Sequence, residues 1–555
     1  MTSIAQDWDH EVDVLVAGSG AGGMTTALAA NDAGLSALVV EKAEVYGGST
    51  ALSGGGIWVP DNPTLRRLGR GDDVEDVRRY LAAVVGDRVP RERLDAYAEH
   101  GPAAMEMLER VSRHMRFSWC PGYSDYHPLL PGGRPLGRTI EPWPVDTRKL
   151  GEDEKLLRAS DNPAPMGLWM TAADVPKMIL FKRTWTGKRM LLVAAWRVLS
   201  TLVTRRHVAT LGQALIARMR LTLKELDVPL WLRTPIVDLV LDEDGAVAGA
   251  IVERDGQRVR VRARKGVVLA TGGFERDVAM RKQYLPEGGK AVITAGASSN
   301  VGDGQRLGER HGAGLDLMDD AWWMPSIVRP NGTVFPLVSE RCIPPMVIVN
   351  QHGVRFTNES APYVNFVHDQ LEGGHGPIYE IFGAKAKARY QFGGVLPGQP
   401  FRGSWYKSKL VTSADTLAEL AEKIQVPPSA LEATVARFNR FAHNGHDEDF
   451  GRGNSPYDRY YGDPTLPNPN IDEIGPGPYY AIRLEAGDLG TKGGLTCDEH
   501  GQVLRADGSA LGGLYATGNV SASVMGNEYP GAGGTIGPAI VFGYLAIQHA
   551  KDRKA

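Results

Sequence analysis

Cysteine is scarce in this chain: 555 residues carry only Cys120, Cys342 and Cys497, far apart and with no CxxC pair. That argues against a disulfide framework and a thiolate metal site, so no metal is expected, and it points to a reducing cytoplasm. The N-terminal residues lack a basic stretch followed by an apolar run, so no secretory leader is read. Long hydrophobic runs are missing as well. The apolar run 190–203 is shorter than the ~20 residues that span a bilayer, and Arg197 interrupts it. A transmembrane helix is therefore excluded. The net charge of −3 is too small to recruit nucleic acid. No repeat or low-complexity tract is present, and the length calls for more than one core.

One further absence is local. Between 175 and 224 there is no acidic residue, while Lys177, Lys182, Arg183, Lys188, Arg189, Arg197, Arg205 and Arg206 alternate with bulky apolar side chains, Trp185 and Trp196 among them. Two readings stand. The stretch 175–206 is either a basic amphipathic segment lying in the headgroup plane of a membrane, or a core helix pair whose cations are solvated or paired with acids elsewhere.

What is present begins with the strand Val12-Asp13-Val14-Leu15-Val16-Ala17, which runs into Gly18-Ser19-Gly20-Ala21-Gly22-Gly23. An alanine-rich helix over 24–32 stops at Gly34, and a second strand over 37–40 ends on Glu41. Gly18 makes the tight turn, Gly20 lets the backbone approach a diphosphate, and Gly23 lets helix and strand pack closely. The diphosphate would sit on the free N–H groups of the helix start. Glu41, about 20 residues on, is placed to accept a ribose hydroxyl.

Which dinucleotide follows from the next segments. Lys42 leads to a second glycine-rich, hydroxyl-bearing loop, Gly47-Gly48-Ser49-Thr50, and then Ser53-Gly54-Gly55-Gly56. Such a loop suits a longer cofactor needing a second close approach of backbone. Later, Gly266-Val267-Val268-Leu269-Ala270-Thr271-Gly272-Gly273 and Gly513-Leu514-Tyr515-Ala516-Thr517-Gly518-Asn519 each read as a buried strand delivering small residues to a ligand surface.

On these motifs the chain resembles the FAD-dependent fumarate reductase and 3-ketosteroid dehydrogenase superfamily, over nearly its whole length. The resemblance implies an α/β protein with a Rossmann-like FAD-binding domain, residues 1–320 and 491–555, and an inserted α+β catalytic domain, 321–490. Some relatives attach the flavin to a histidine of the second loop. This loop has none, so FAD is expected to be non-covalent.

Three tyrosines and a glycine carry the chemistry. Removing hydrogen beside a ketone needs a hydride acceptor, a base for the α proton and donors for the enolate oxygen. The segments Gly122-Tyr123-Ser124-Asp125-Tyr126, Asn358-Glu359-Ser360-Ala361-Pro362-Tyr363 and Tyr529-Pro530-Gly531-Ala532-Gly533 precede or sit in turns, the last just before a helix over 536–549. They match the D-Y loop, N-E-S-x-P-Y and Y-P-G-x-G motifs of the 3-ketosteroid Δ1-dehydrogenases. By that resemblance Tyr529 and Gly533 bind the 3-keto oxygen, Tyr363 takes the proton from carbon 2, and Tyr126 tunes Tyr363. Tyr123, three residues away, competes for the tuning role. Trp322 and Trp323 are expected at the domain junction, lining the cleft.

Rival readings are a 3-ketosteroid Δ4-dehydrogenase, a fumarate reductase-like enzyme and a non-catalytic flavin redox sensor. A dicarboxylate site needs carboxylate-clamping cations, yet Ser298-Ser299-Asn300-Val301-Gly302-Asp303-Gly304 lacks the histidine that those relatives carry before their T-G-D-G. The expected partners are a 3-ketosteroid and an external electron acceptor, a quinone being one option. Contact with the inner face of the cytoplasmic membrane through 175–206 would add to these.

Overall fold

The computed structural model describes residues 8–161 and 168–553; the N-terminal residues read for a leader lie outside them. Strand β1 (His10–Ala17) is buried on both faces from Val14 onward, as an interior strand of a parallel sheet must be. It pairs in parallel with Gln257–Leu269 on one side and with β2 (Ala37–Val40) on the other. Ala510–Ala516 and Leu230–Trp231 extend the sheet, again in parallel. Three antiparallel strands, Ile236–Leu241, Val247–Arg254 and Gln502–Leu504, bring it to eight. In this register Val40, Ala17, Leu269 and Ala516 are neighbours, so four chain segments leave the sheet side by side at its carboxyl edge. Ligands of open α/β sheets bind at that edge.

Helix α1 (Ala21–Asp32) is buried from Ala21 to Ala30 and packs on the final helix, Ile536–Ala550. Small residues permit the approach. A Cβ at Gly22 would meet Thr517 Cγ2 at 2.9 Å, and one at Gly543 would meet the Gly22 carbonyl at 2.9 Å.

A second, antiparallel sheet of six strands is built from residues 321–491. Its order is Val334–Pro336, Ala321–Val328, Tyr479–Thr491, Ile378–Phe382, Met346–Val349, with Val411–Ala414 also on Tyr479–Thr491. Helix Tyr363–Glu372 packs on Ala321–Val328.

The acid-free stretch folds as Val175–Ile179, Trp185–Thr204 and Leu211–Glu225. The last of these is buried and packs on α1. The core-pair reading fails for Trp185–Thr204, in which only Gly187, Met190 and Ala194 are buried. Trp185, Leu192, Trp196 and Val203 are each at least two-thirds exposed, at 75, 73, 67 and 74%. Arg197 does pair with Asp174 (2.6 Å). Among the described residues no helix is long and apolar enough to cross a membrane.

Asp320 gathers groups from four chain segments. Its carboxylate accepts from Ala321 N (2.8 Å), Trp323 Nε1 (2.7 Å) and Asn527 Nδ2 (2.9 Å), and it lies 2.9 Å from His368 Nε2 and 3.1 Å from the fully buried Lys492 Nζ. Burial works to raise its pKa, but Lys492, His368 and the donors outweigh burial and hold it at about 2. Asp320→Asn leaves Lys492 buried without its counter-charge, at a cost of about 3–5 kcal/mol. The lowered native value means that the stabilisation is complete above the unfolded carboxylate value and disappears as pH falls through the native one. In thermal melts of the FAD-loaded protein, the gap between variant and wild type should be widest above about pH 4 and narrow toward pH 2.

Candidate active site

At the carboxyl edge of the parallel sheet a cavity of about 540 Å³ runs from the turn between β1 and α1 to the tyrosines. The turn depends on glycine. Gly18 has φ +114°, and a Cβ there would lie 2.2 Å from the Ala270 carbonyl oxygen. Gly20 is open, with nothing nearer to its added Cβ than Thr50 Oγ1 at 3.5 Å, and a Cβ at Gly48 would come 3.7 Å from Gly20 Cα. Two glycine loops thus stack at the start of α1, where backbone N–H groups and the helix dipole favour a diphosphate. The residues present fit FAD.

Gly18, Gly20, Glu41, Lys42, Gly48, Ser49, Thr50, Gly518 and Asn519 all line the cavity. Glu41 is buried, accepting from Ser19 N (3.1 Å) and Oγ (2.6 Å) and from Ala43 N (2.9 Å). Lys42 pairs with Asp303, which also lines the wall. Thr50 Oγ1 accepts from Ala21 N (3.1 Å). Ser49 Oγ accepts from Ala297 N (2.9 Å) and Asn300 Nδ2 (3.0 Å), which fixes the second loop. Gly23 lies behind the wall, where an added Cβ would stand 1.9 Å from the Gly18 carbonyl oxygen, so its part is helix–strand packing.

Two expectations need correction. Gly273 is outside the wall, which Gly272 lines instead. The close neighbour of Gly273 is Thr491 Oγ1, 2.3 Å from where a Cβ would be. Trp322 and Trp323 do not line the main cavity either. Alternation along the strand sends the Trp323 indole to Asp320 and sets Trp322 edge-on to the Tyr529 ring at 4.9 Å, its Nε1 donating to Asn519 Oδ1 (3.2 Å). Met324 reaches the cavity from this strand.

The far end of the cavity holds Tyr126, Tyr363, Tyr529 and Gly533 together. Tyr126 Oη donates to Tyr363 Oη at 3.1 Å. The rings of Tyr126 and Tyr529 stack at 5.0 Å, and Tyr363 stands edge-on to both at 5.4 Å. Tyr123, also in the wall, is 3.5 Å from Tyr126 through the hydroxyls. Two loops are clasped here, because the Pro530 carbonyl accepts from Tyr126 N (3.0 Å) and Tyr80 Oη (2.6 Å). Asp125 steadies the first loop by accepting from Trp58 Nε1 (2.8 Å) and Arg134 N (3.0 Å) and pairing with buried Arg138. Gly533 has φ +101°, and a Cβ on it would meet the Gly56 carbonyl carbon at 2.4 Å.

Burial pushes all three phenols above the ordinary tyrosine value. For Tyr363 the Tyr126 hydrogen bond works in the opposite direction. Tyr529 is eased downward by the Tyr363 and Thr535 hydroxyls and the Gly533 N–H. Apolar side chains, Met324, Val334, Pro336, Val338 and Leu489, wall the same end, and Ala172 and Val175 reach it from beside the exposed helix. Sequence reasoning passed over Tyr461, which lines the cavity, and Tyr457, whose ring lies 4.6 Å from that of Tyr126. The density of tyrosine in Tyr457-Asp458-Arg459-Tyr460-Tyr461 was the available signal.

Comparison with known proteins identifies the family. The FAD binding domain family matches residues 13–536. A 3-oxosteroid 1-dehydrogenase of Mycobacterium tuberculosis is 47% identical, the match covering 98% of this chain and 99% of the relative. The crystal structure of a 3-ketosteroid delta1-dehydrogenase from Sterolibacterium denitrificans, in complex with 1,4-androstadiene-3,17-dione, superposes with a TM-score of 0.91 at 39% identity, covering 98% of this chain and 99% of the other. A 3-ketosteroid-delta4-(5alpha)-dehydrogenase from Rhodococcus jostii shares the fold, with a TM-score of 0.70 at 22% identity and coverage of 100% and 99%. The chain belongs to the FAD-binding flavoprotein family that includes the 3-oxosteroid 1-dehydrogenases.

Proposed function

We propose that this chain is an FAD-dependent 3-ketosteroid Δ1-dehydrogenase, introducing a double bond between carbons 1 and 2 of the ketone-bearing ring. The observation that carries this reading is one cavity with a glycine cradle at one end and three buried phenols at its apolar end. Tyr529 Oη and Gly533 N–H hold the 3-keto oxygen, and as neutral donors they favour the charge that develops on it as the enolate forms. Tyr363 takes the proton from carbon 2. Tyr126, donating to Tyr363 at 3.1 Å, steadies its phenolate, and the longer 3.5 Å approach of Tyr123 to Tyr126 favours Tyr126 for this part. Because burial raises the Tyr363 pKa, its basic form grows as pH rises, and so does turnover. When bound, FAD supplies the acceptor for the hydride of carbon 1.

The cofactor is held without a covalent bond, since no histidine or cysteine is among the described residues lining the cavity. No arginine is among them either, which leaves a dicarboxylate without a clamp and disfavours the fumarate reductase reading. We read residues 1–320 and 491–555 as the FAD-binding part and 321–490 as the catalytic part, with the antiparallel sheet in support.

The electron acceptor is external, and a membrane quinone fits a second part of the proposal. Helix Trp185–Thr204 lies in the lipid headgroup plane on the cytoplasmic side. Its bare tryptophans and leucines, with Lys188, Arg189, Arg205 and Arg206 exposed around them, have the chemistry of an anionic lipid surface. A steroid dissolved in lipid would then meet the cavity beside Ala172 and Val175.

Added anaerobically to the FAD-loaded protein, androst-4-ene-3,17-dione should bleach the flavin band and emerge as the 1,4-diene. This substrate already carries the 4,5 double bond, so absence of bleaching rejects the Δ1 assignment. Tyr363→Phe should keep FAD and lose most turnover, whereas Tyr529→Phe should weaken ketone binding and slow the rate by about 10²–10³-fold. In flotation with vesicles containing phosphatidylglycerol, wild type should rise with the lipid and the Leu192→Glu, Trp196→Glu double variant should stay below. Equal flotation of the two removes the membrane contact.

A further inference from the structure

A tyrosine base needs help from positive charge or donors, and Tyr126 supplies only a donor. Behind the cluster, in the turn Glu340–Cys342, Arg341 is fully buried. Its Nη1 donates to the carbonyls of Glu359 (2.7 Å) and Ala361 (2.5 Å), just ahead of Pro362 and Tyr363. Its Nη2 donates to Tyr457 Oη at 3.4 Å, and the Tyr457 ring packs on Tyr126, which donates to Tyr363. The guanidinium therefore grips the backbone that launches the helix bearing Tyr363 and lies on the far side of the phenols from the cavity.

Nearby carboxyls do little to cancel that charge. Among the described residues no ion pair joins Arg341 to a carboxylate, and the groups that act on it most strongly are Tyr457, Cys342, Tyr126 and Tyr363. Glu359 is taken up by Arg355 and Arg452. Asp458 accepts hydrogen bonds only from neutral donors, Asn358 Nδ2 and Gly453 N, and burial pushes its pKa upward. Burial pushes Glu340 and Glu380 upward, toward their neutral forms. A buried cation so placed stabilises negative charge on the phenols around it.

We propose that Arg341 is a positioning residue for proton abstraction, holding the backbone ahead of Tyr363 and lending its charge to the Tyr363 oxygen when that oxygen is the base. The inference rests on the assignment of Tyr363 as base. Besides burial, the groups that act most strongly on Tyr363 are Tyr529, Tyr123, Tyr126 and Tyr457, and each remains in place in the variants below, while Tyr363 is itself among the groups that act on Arg341.

The test compares FAD-loaded Arg341→Gln and Arg341→Lys with wild type, measuring the anaerobic rate of flavin reduction by androst-4-ene-3,17-dione from pH 6 to pH 10. Arg341→Gln should move the midpoint of the alkaline rise upward by about one pH unit, slowing reduction roughly tenfold below it. Arg341→Lys, which keeps the charge but not the fork, should keep the midpoint. An Arg341→Gln profile with the wild-type midpoint overturns the proposal, whatever its amplitude. Should the glutamine variant fail to hold FAD, Arg341→Met removes the charge in its place and is judged by the same midpoint, and an Arg341→Lys midpoint raised by a unit overturns the role of charge. Tyr363→Phe is run alongside. If it turns over normally the base assignment itself has failed, whereas its inactivity beside an unmoved Arg341→Gln midpoint refutes only the role of Arg341.

Discussion

The Pro530 carbonyl is the joint on which the catalytic end depends. By accepting from Tyr126 N and Tyr80 Oη it clasps a loop near residue 125 to one near residue 530, more than 400 positions apart. With that contact made, the rings of Tyr126 and Tyr529 stack and Tyr126 Oη meets Tyr363 Oη. Around the joint, Trp58 is held by Asp125 and packs under Gly531, where an added Cβ would fall 2.3 Å from the indole. A phenol cluster gathered from three remote segments holds its spacing because rigid, buried groups back each loop.

The parallel sheet does the corresponding work for the cofactor end. In-register strands release four segments at one edge, so backbone rather than side chain forms the cradle. Phenols and a backbone N–H then give the other end a lining that is polar at few points and apolar elsewhere. Such a lining recognises a ketone on a hydrocarbon frame, where charged clamps would carry a desolvation cost with nothing to offset it.

At the catalytic end, buried charge is kept behind the walls. Asp320 with Lys492 lies beneath Trp322, Arg138 with Asp125 beneath the Tyr126 loop, and Arg341 beneath Tyr457. Each ion fixes the backbone or ring that a cavity residue stands on. The surface shows the opposite economy: helix Trp185–Thr204 leaves large apolar side chains in the open beside cations of one sign.

Much of this was legible in the chain itself. A strand, glycine turn, helix and acid in register locate a dinucleotide cradle from local sequence alone, because the conformations only glycine tolerates and the free helix N–H groups are local properties. The motifs around Tyr126, Tyr363 and Tyr529 carried the family resemblance in the same way. Facing was left open for 175–206 and was expected otherwise for Gly273, Trp322 and Trp323. Whether 175–206 is core or surface, which side of their strand Trp322 and Trp323 present, and whether Gly273 or Gly272 meets the cavity depend on which partner each side packs against. Arg341 and Tyr457 escaped notice for the same reason: an arginine in a short turn has no local mark of burial, and only the packing of distant segments put it behind a phenol. Local chemistry sets what a segment can do, and long-range contact decides what it faces.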